Sequence, residues 1–120
     1  MGGFGALDLA SRAPGRFCAI GAHSAALWFR GADTPSGAFD DADDFARHDL
    51  LSFARTKALY RVPVWIDVGR EDPFLQADTA LARELRARGT RVRLVVHGGG
   101  HSGWWGRIGE YLRFYAGACG

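Results

Sequence analysis

Two loops hold the residues whose types could do acid–base chemistry. Gly69-Arg70-Glu71-Asp72-Pro73-Phe74 carries acids in a turn, and His97-Gly98-Gly99-Gly100-His101-Ser102-Gly103-Trp104-Trp105 carries histidines in a glycine-rich stretch. Each follows an apolar run that reads as a strand, and ligands of open α/β sheets bind beyond the carboxyl ends of strands. A carboxylate that orients a histidine makes that imidazole a directed general base. Asp72 is the preferred acid, because Asp67 lies within the strand and Glu71 lacks the motif position. A plain turn aspartate before Pro73 and a loop histidine without consequence are the alternatives. A third feature is the glycine-rich start, Met1-Gly2-Gly3-Phe4-Gly5.

Other chemistries fare worse. His97 and His101 are four residues apart, as a zinc pair on a helix would be, but the intervening glycines speak against a helix and against a metal. Asp40, Asp41, Asp43 and Asp44 could resemble a calcium site, yet acidic residues also suit the positive end of a helix dipole. Ser24, just past the first strand, lacks the flanking glycines expected of a nucleophile on a tight turn.

The elements that must position these residues follow from hydrophobic periodicity. Gly3 to Ala13 reads as a helix stopped by Pro14-Gly15, and Arg16 to Ala22 as a strand containing the buried run Phe17-Cys18-Ala19-Ile20. Residues 31 to 37 form a loop by composition, and Asp40 to Leu59 a helix. Val62 to Val68 is a second strand, with Pro63 near its start. Ala77, Leu81, Ala82 and Leu85 mark a helix that ends at Gly89. Val92 to Val96 is a third strand, and Trp105, Ile108, Leu112 and Tyr115 recur at helical spacing. Apolar strands separated by helices predict an α/β fold with a parallel sheet.

With 120 residues the chain makes a single domain, 1–120, large enough for its own core. An apolar content of 48% argues against disorder, and a net charge of +2 with scattered arginines argues against a nucleic-acid partner. No apolar run approaches bilayer-spanning length and no signal peptide is legible, so a cytoplasmic location with no membrane partner is expected. Cys18 reads as a small core residue and Cys119 as a free, exposed thiol.

Taken together, these motifs resemble the C-terminal half of an α/β-hydrolase of the putative-esterase family, which includes formylglutathione hydrolases, feruloyl esterases and mycolyltransferases. The elbow of that family continues Ser-Met-Gly-Gly-x-Gly-Ala, which Met1 to Ala6 matches from its second position. The Gly-x-x-Asp-Pro turn is matched by Gly69 to Pro73, and the glycine before the histidine and the tryptophans after it by Gly100-His101 and Trp104-Trp105. Arg12 to Phe17 resembles the family's link from elbow helix to strand, and residues 31–46 form a variable loop or cap region outside the likeness.

The resemblance implies a partial hydrolase fold of about three parallel strands with flanking helices, working on a small-molecule ester or thioester without cofactor. Its implied triad order is Ser…Asp…His, with His101 as general base and Asp72 as its orienting acid. Met1 would supply an oxyanion-hole amide, and Ser24, Trp28 and Trp104 would line the substrate pocket. The nucleophilic serine is absent from the sequence, which implies a truncated chain that is inactive alone. The rival expectation is a non-catalytic module that pairs with a separate N-terminal half. On either reading the first strand would lack its neighbour, so self-association or a partner chain is expected at that sheet edge.

Overall fold

A computed structural model describes residues 1–120. Its centre is a three-stranded parallel sheet in the order β1 (Ile20–His23), β2 (Val64–Gly69), β3 (Val92–His97). Ile20 pairs with Val64, and Val64 with Val92; at the far end Gly69 pairs with His97. Every residue of β2 is buried, as the centre of a sheet covered on both faces must be. The α/β class and the parallel arrangement expected from the sequence are present.

The two sheet faces differ in chemistry. Ile20, Ala22, Val64 and Ile66 point to an aliphatic core shared with Leu7 and Ala10 of α1 (Gly2–Arg12), Leu50, Leu51 and Ala54 of α3 (Leu50–Thr56), and Ala77, Leu81 and Leu85 of α4 (Leu75–Ala87). Gly3 of α1 lies so close to β1 that a Cβ there would meet Ala25 at 3.0 Å. The opposite face carries Gly21, His23, Trp65 and Asp67. It is covered by Tyr111, Phe114 and Tyr115 of α5 (Ile108–Cys119), which pack on Trp65 and His23. That face is aromatic and polar.

Several local expectations are corrected. The first strand is short, beginning at Ile20, and Phe17 and Cys18 are exposed instead of buried. Cys18 and Cys119 form a disulfide, so neither is a core thiol or a free one. Sequence distance hid the pair, because 101 residues separate the two cysteines and only the fold brings their Cα atoms to 5.2 Å. The helix expected over Asp40 to Leu59 is broken into α2 (Ala42–Arg47) and α3, because Asp49 caps a new helix through the Ser52 amide. Asp41 caps α2 in the same way, accepting from the Asp44 amide at 2.7 Å. Trp105 lies in a short 3-10 turn (Gly103–Arg107), and Trp105, Ile108 and Leu112 are exposed while Tyr111 is the buried member of α5. No helix is long and apolar enough to cross a membrane.

Candidate active site

β2 and β3 end side by side, and their loops interlock. The Arg70 amide donates to the His97 carbonyl and the Glu71 amide to the Gly99 carbonyl. A Cβ at position 69 would collide with the carbonyl oxygens of Gly99 and Gly100, so only glycine fits the crossing. Gly99, at φ 94°, turns the chain back over it. The two glycine-rich motifs are therefore parts of one joint.

Asp72 leaves this joint at the start of the turn into α4. Its Oδ1 accepts from the Phe74 amide at 2.8 Å, and its Oδ2 lies 3.0 Å from His101 Nδ1. The Asp72 side chain is fully buried, while that of His101 is half exposed. A carboxylate facing Nδ1 favours the tautomer with its proton on Nδ1, which leaves Nε2 turned away from Asp72. The ring also leans on Phe74, centroid to centroid at 5.8 Å. Glu71 is exposed on the turn. His97 faces Asp67 and not His101, so the two histidines do not form a pair.

His101 opens on a cleft of about 340 Å³ lined by Met1, Gly2, Gly3, Gly21, His23, Ser24, Ser102 and Trp104. The amino end of α1 thus meets the histidine loop across the mouth of β1. Of the residues singled out in the sequence, the fold gathers Met1, Ser24, His101 and Trp104 around this cleft, with Asp72 behind His101. Trp28 is not in it. Its ring packs edge-on against Phe74 at 5.3 Å and Phe39 at 6.4 Å, in a separate aromatic cluster that backs the cleft through Phe74. A larger hollow of about 490 Å³, lined by Phe17, Lys57, Tyr60 and Arg61 among others, contains no histidine or acid.

Ser24 has an unusual setting. It is 1% exposed, its φ is 49°, and its Oγ has no hydrogen-bond partner. Its amide extends the β1–β2 ladder to the Asp67 carbonyl at 2.8 Å. A left-handed residue other than glycine costs roughly 1 kcal/mol.

Three polar residues that sequence reasoning passed over, or ranked low, belong to this region: His23 lines the cleft, and Asp67 and Asp78 are buried near Asp72. Asp67 is fully buried, with Oδ2 2.6 Å from His23 Nδ1 and 2.8 Å from Trp65 Nε1. Asp78 of α4 is fully buried, neither of its oxygens is paired to another side chain, and burial together with nearby Asp72 and Asp67 pushes its pKa up to about 8. His23 had one legible signal: an acid within an all-apolar strand needs a partner, and a histidine closes the preceding strand.

The sequence profile of the Putative esterase family matches residues 1–102. The chain belongs to that family. In its fold it is similar to a ferulic acid esterase, with a TM-score of 0.70 and 21% identity over 99% of this chain and 48% of that one. This esterase-family chain therefore spans about half the length of that enzyme. No curated protein sequence matches it. Within the family profile fall α1, all three strands, Asp72 and His101, so the cleft is built entirely from family-matched chain apart from Trp104.

Proposed function

We propose that the cleft is the acid-and-base side of a carboxylic-ester or thioester hydrolase site that works with a serine nucleophile. The Asp72–His101 contact carries this reading: a buried carboxylate 3.0 Å from Nδ1 of a half-exposed imidazole whose Nε2 is free at a cleft. In the reaction His101 Nε2 takes the serine proton as Oγ attacks the carbonyl carbon. It returns that proton to the departing alcohol or thiol, leaving an acyl-serine. Water then attacks the acyl carbon, its proton passing through His101 to the serine as the acid is released. Asp72 holds the tautomer and stabilises the imidazolium.

The seat for such a serine is the amino end of α1, beside Met1 and across from His101. Backbone amides at that helix end point toward a developing oxyanion and the helix dipole adds to their effect. Ser24 and Trp104 border the acyl group on this reading, and Trp28 acts through Phe74. The chain's own sequence holds no Gly-x-Ser-x-Gly turn, so the nucleophile comes from additional chain, in continuity with α1 or as a separate half. The Cys18–Cys119 disulfide favours work in an oxidising compartment over the cytoplasmic location expected from the sequence.

A fluorophosphonate probe tests the proposal. A chain extended at its amino end by a Gly-x-Ser segment and the preceding strands is expected to be labelled at that serine and to hydrolyse p-nitrophenyl esters. The 120-residue chain is expected to remain unlabelled. Labelling of Ser24 or Ser102 in the short chain would overturn the assignment.

A further inference from the structure

We propose that His23 is a positioning residue for His101: anchored by Asp67, it holds the wall of the loop from which His101 projects. The inference rests on the esterase reading of His101 and adds a second histidine–carboxylate pair to it.

His101 has little support of its own. Its ring meets the Asp72 carboxylate and the Phe74 ring, and half of its side chain faces solvent. A catalytic group must be held to within about 0.5 Å, and residues behind it usually supply the constraint. Two and three positions after His101 come Gly103 and Trp104, and both rest on histidines. The Trp104 ring stacks on the His23 ring at 5.9 Å and 24°. Gly103 lies against the His97 ring so closely that a Cβ would clash with it.

Those two histidines flank one carboxylate. His23 Nδ1 is 2.6 Å from Asp67 Oδ2, and His97 Nε2 is 3.6 Å from Asp67 Oδ1. Asp67 cannot drift, because it sits in the central strand, is fully buried and also accepts from Trp65 Nε1 at 2.8 Å. A buried carboxyl of this kind is costly without donors around it, and His23 Nδ1 and Trp65 Nε1 are the partners it has. The remaining faces of His23 are also taken. Tyr111 packs on its ring at 3.9 Å, and Tyr115 Oη lies 3.4 Å from its Nε2. Tyr111 in turn donates its hydroxyl to the Trp104 carbonyl at 3.0 Å, closing the circuit back to the loop. One buried carboxylate thereby anchors His23 directly, while the His97 ring, the support of Gly103, lies beside it at 3.6 Å without a hydrogen bond.

Ring-selective NMR on the ¹⁵N-labelled 120-residue chain tests this, since it reads geometry and not turnover. His23→Phe keeps an aromatic ring for Trp104 but cuts the link to Asp67. The expected result is loss of the protected Nδ1–H signal of His101 and a shift of the Trp104 indole signal, with the Trp28 indole unmoved. His23→Asn keeps a donor toward Asp67 but removes the ring on which Trp104 stacks, and the His101 signal is expected to be lost there too. An unchanged His101 signal in either variant overturns the proposal, and so does a Trp28 indole that shifts as far as the Trp104 indole. Should His23→Phe not fold, Trp104→Leu decides: it removes the ring that rests on His23, and an unaltered His101 signal there is equally fatal. Failure of this test leaves the esterase reading standing, because that reading is judged by labelling of the serine. A failed labelling experiment, conversely, leaves the measured His101 geometry as it is.

Discussion

Gly69 lies directly beneath the carbonyls of Gly99 and Gly100, with no room for a Cβ between them. The acid turn and the histidine loop can interlock only across a residue without a side chain. Gly69→Ala should force the two loops apart, costing about 1–3 kcal/mol as overpacking against backbone does. Urea unfolding of the purified chain reads the stability, and the protected His101 Nδ1–H signal should vanish with it. Wild-type stability with that signal intact would show that the crossing yields more easily than the geometry implies.

In an extended, active esterase chain, His101→Ala should lower kcat by about 10⁶-fold and Asp72→Asn by about 10⁴-fold, the scale of serine hydrolases that lose these partners. KM should change little in both. Steady-state hydrolysis of a p-nitrophenyl ester checks this, and an Asp72→Asn variant with full turnover would remove the carboxylate from the mechanism.

Asp78 makes stability depend on pH. Its carboxyl is raised from 3.8 to about 8, chiefly by burial and then by Asp72 and Asp67. Between those values the folded state holds a proton that the unfolded state has released, so stability falls as pH rises. The contribution is whole below about pH 4 and is lost progressively as pH climbs through about 8. Asp78→Asn should flatten this slope, so that its stability relative to the wild type improves from pH 5 to pH 8. Parallel denaturant curves for both proteins across that range would reveal it; identical slopes would mean that Asp78 ionises freely.

The Cys18–Cys119 bridge joins the approach to β1 with the last turn of α5. It closes a loop of about 100 residues, for which chain entropy gives at most about 4.7 kcal/mol, with measured values for disulfides usually about 2–4. Reduction, or the Cys18→Ser/Cys119→Ser pair, should lower the melting temperature while leaving the sheet intact by circular dichroism. α5 should loosen first, because the covalent tie lies at its carboxyl end. A melting temperature indifferent to reductant would contradict this.

Ser24→Gly is expected to be neutral or to stabilise the fold by up to about 1 kcal/mol. It relieves a left-handed backbone and removes a buried hydroxyl with no partner. Calorimetric melting settles the sign. A large destabilisation would point to a bond made by Oγ that the static contacts do not contain.

Much of the architecture was legible because it depends on local pattern. Three apolar runs and the helical spacing of Leu81 and Leu85 are enough to specify strands, crossovers and a parallel sheet, since each must bury one apolar face. Gly69 to Pro73 and Gly100-His101 were legible for a related reason: tight turns at strand ends tolerate few residue types. Boundaries were less so. A cap at Asp49 broke a helix that periodicity alone would continue, and Phe17, apolar in sequence, lies outside the sheet.

What only the tertiary structure decided is who meets whom. The sequence by itself determined the fold class, the family likeness and the paired acid and histidine motifs at adjoining strand ends. It could not reveal that Cys18 meets Cys119, that Trp28 turns away from the cleft behind Phe74, or that Asp67 gathers His23 and His97 around itself. Those pairings join residues from 30 to 101 positions apart. Contact over such separations follows from how strands register and helices dock, which no local spacing encodes.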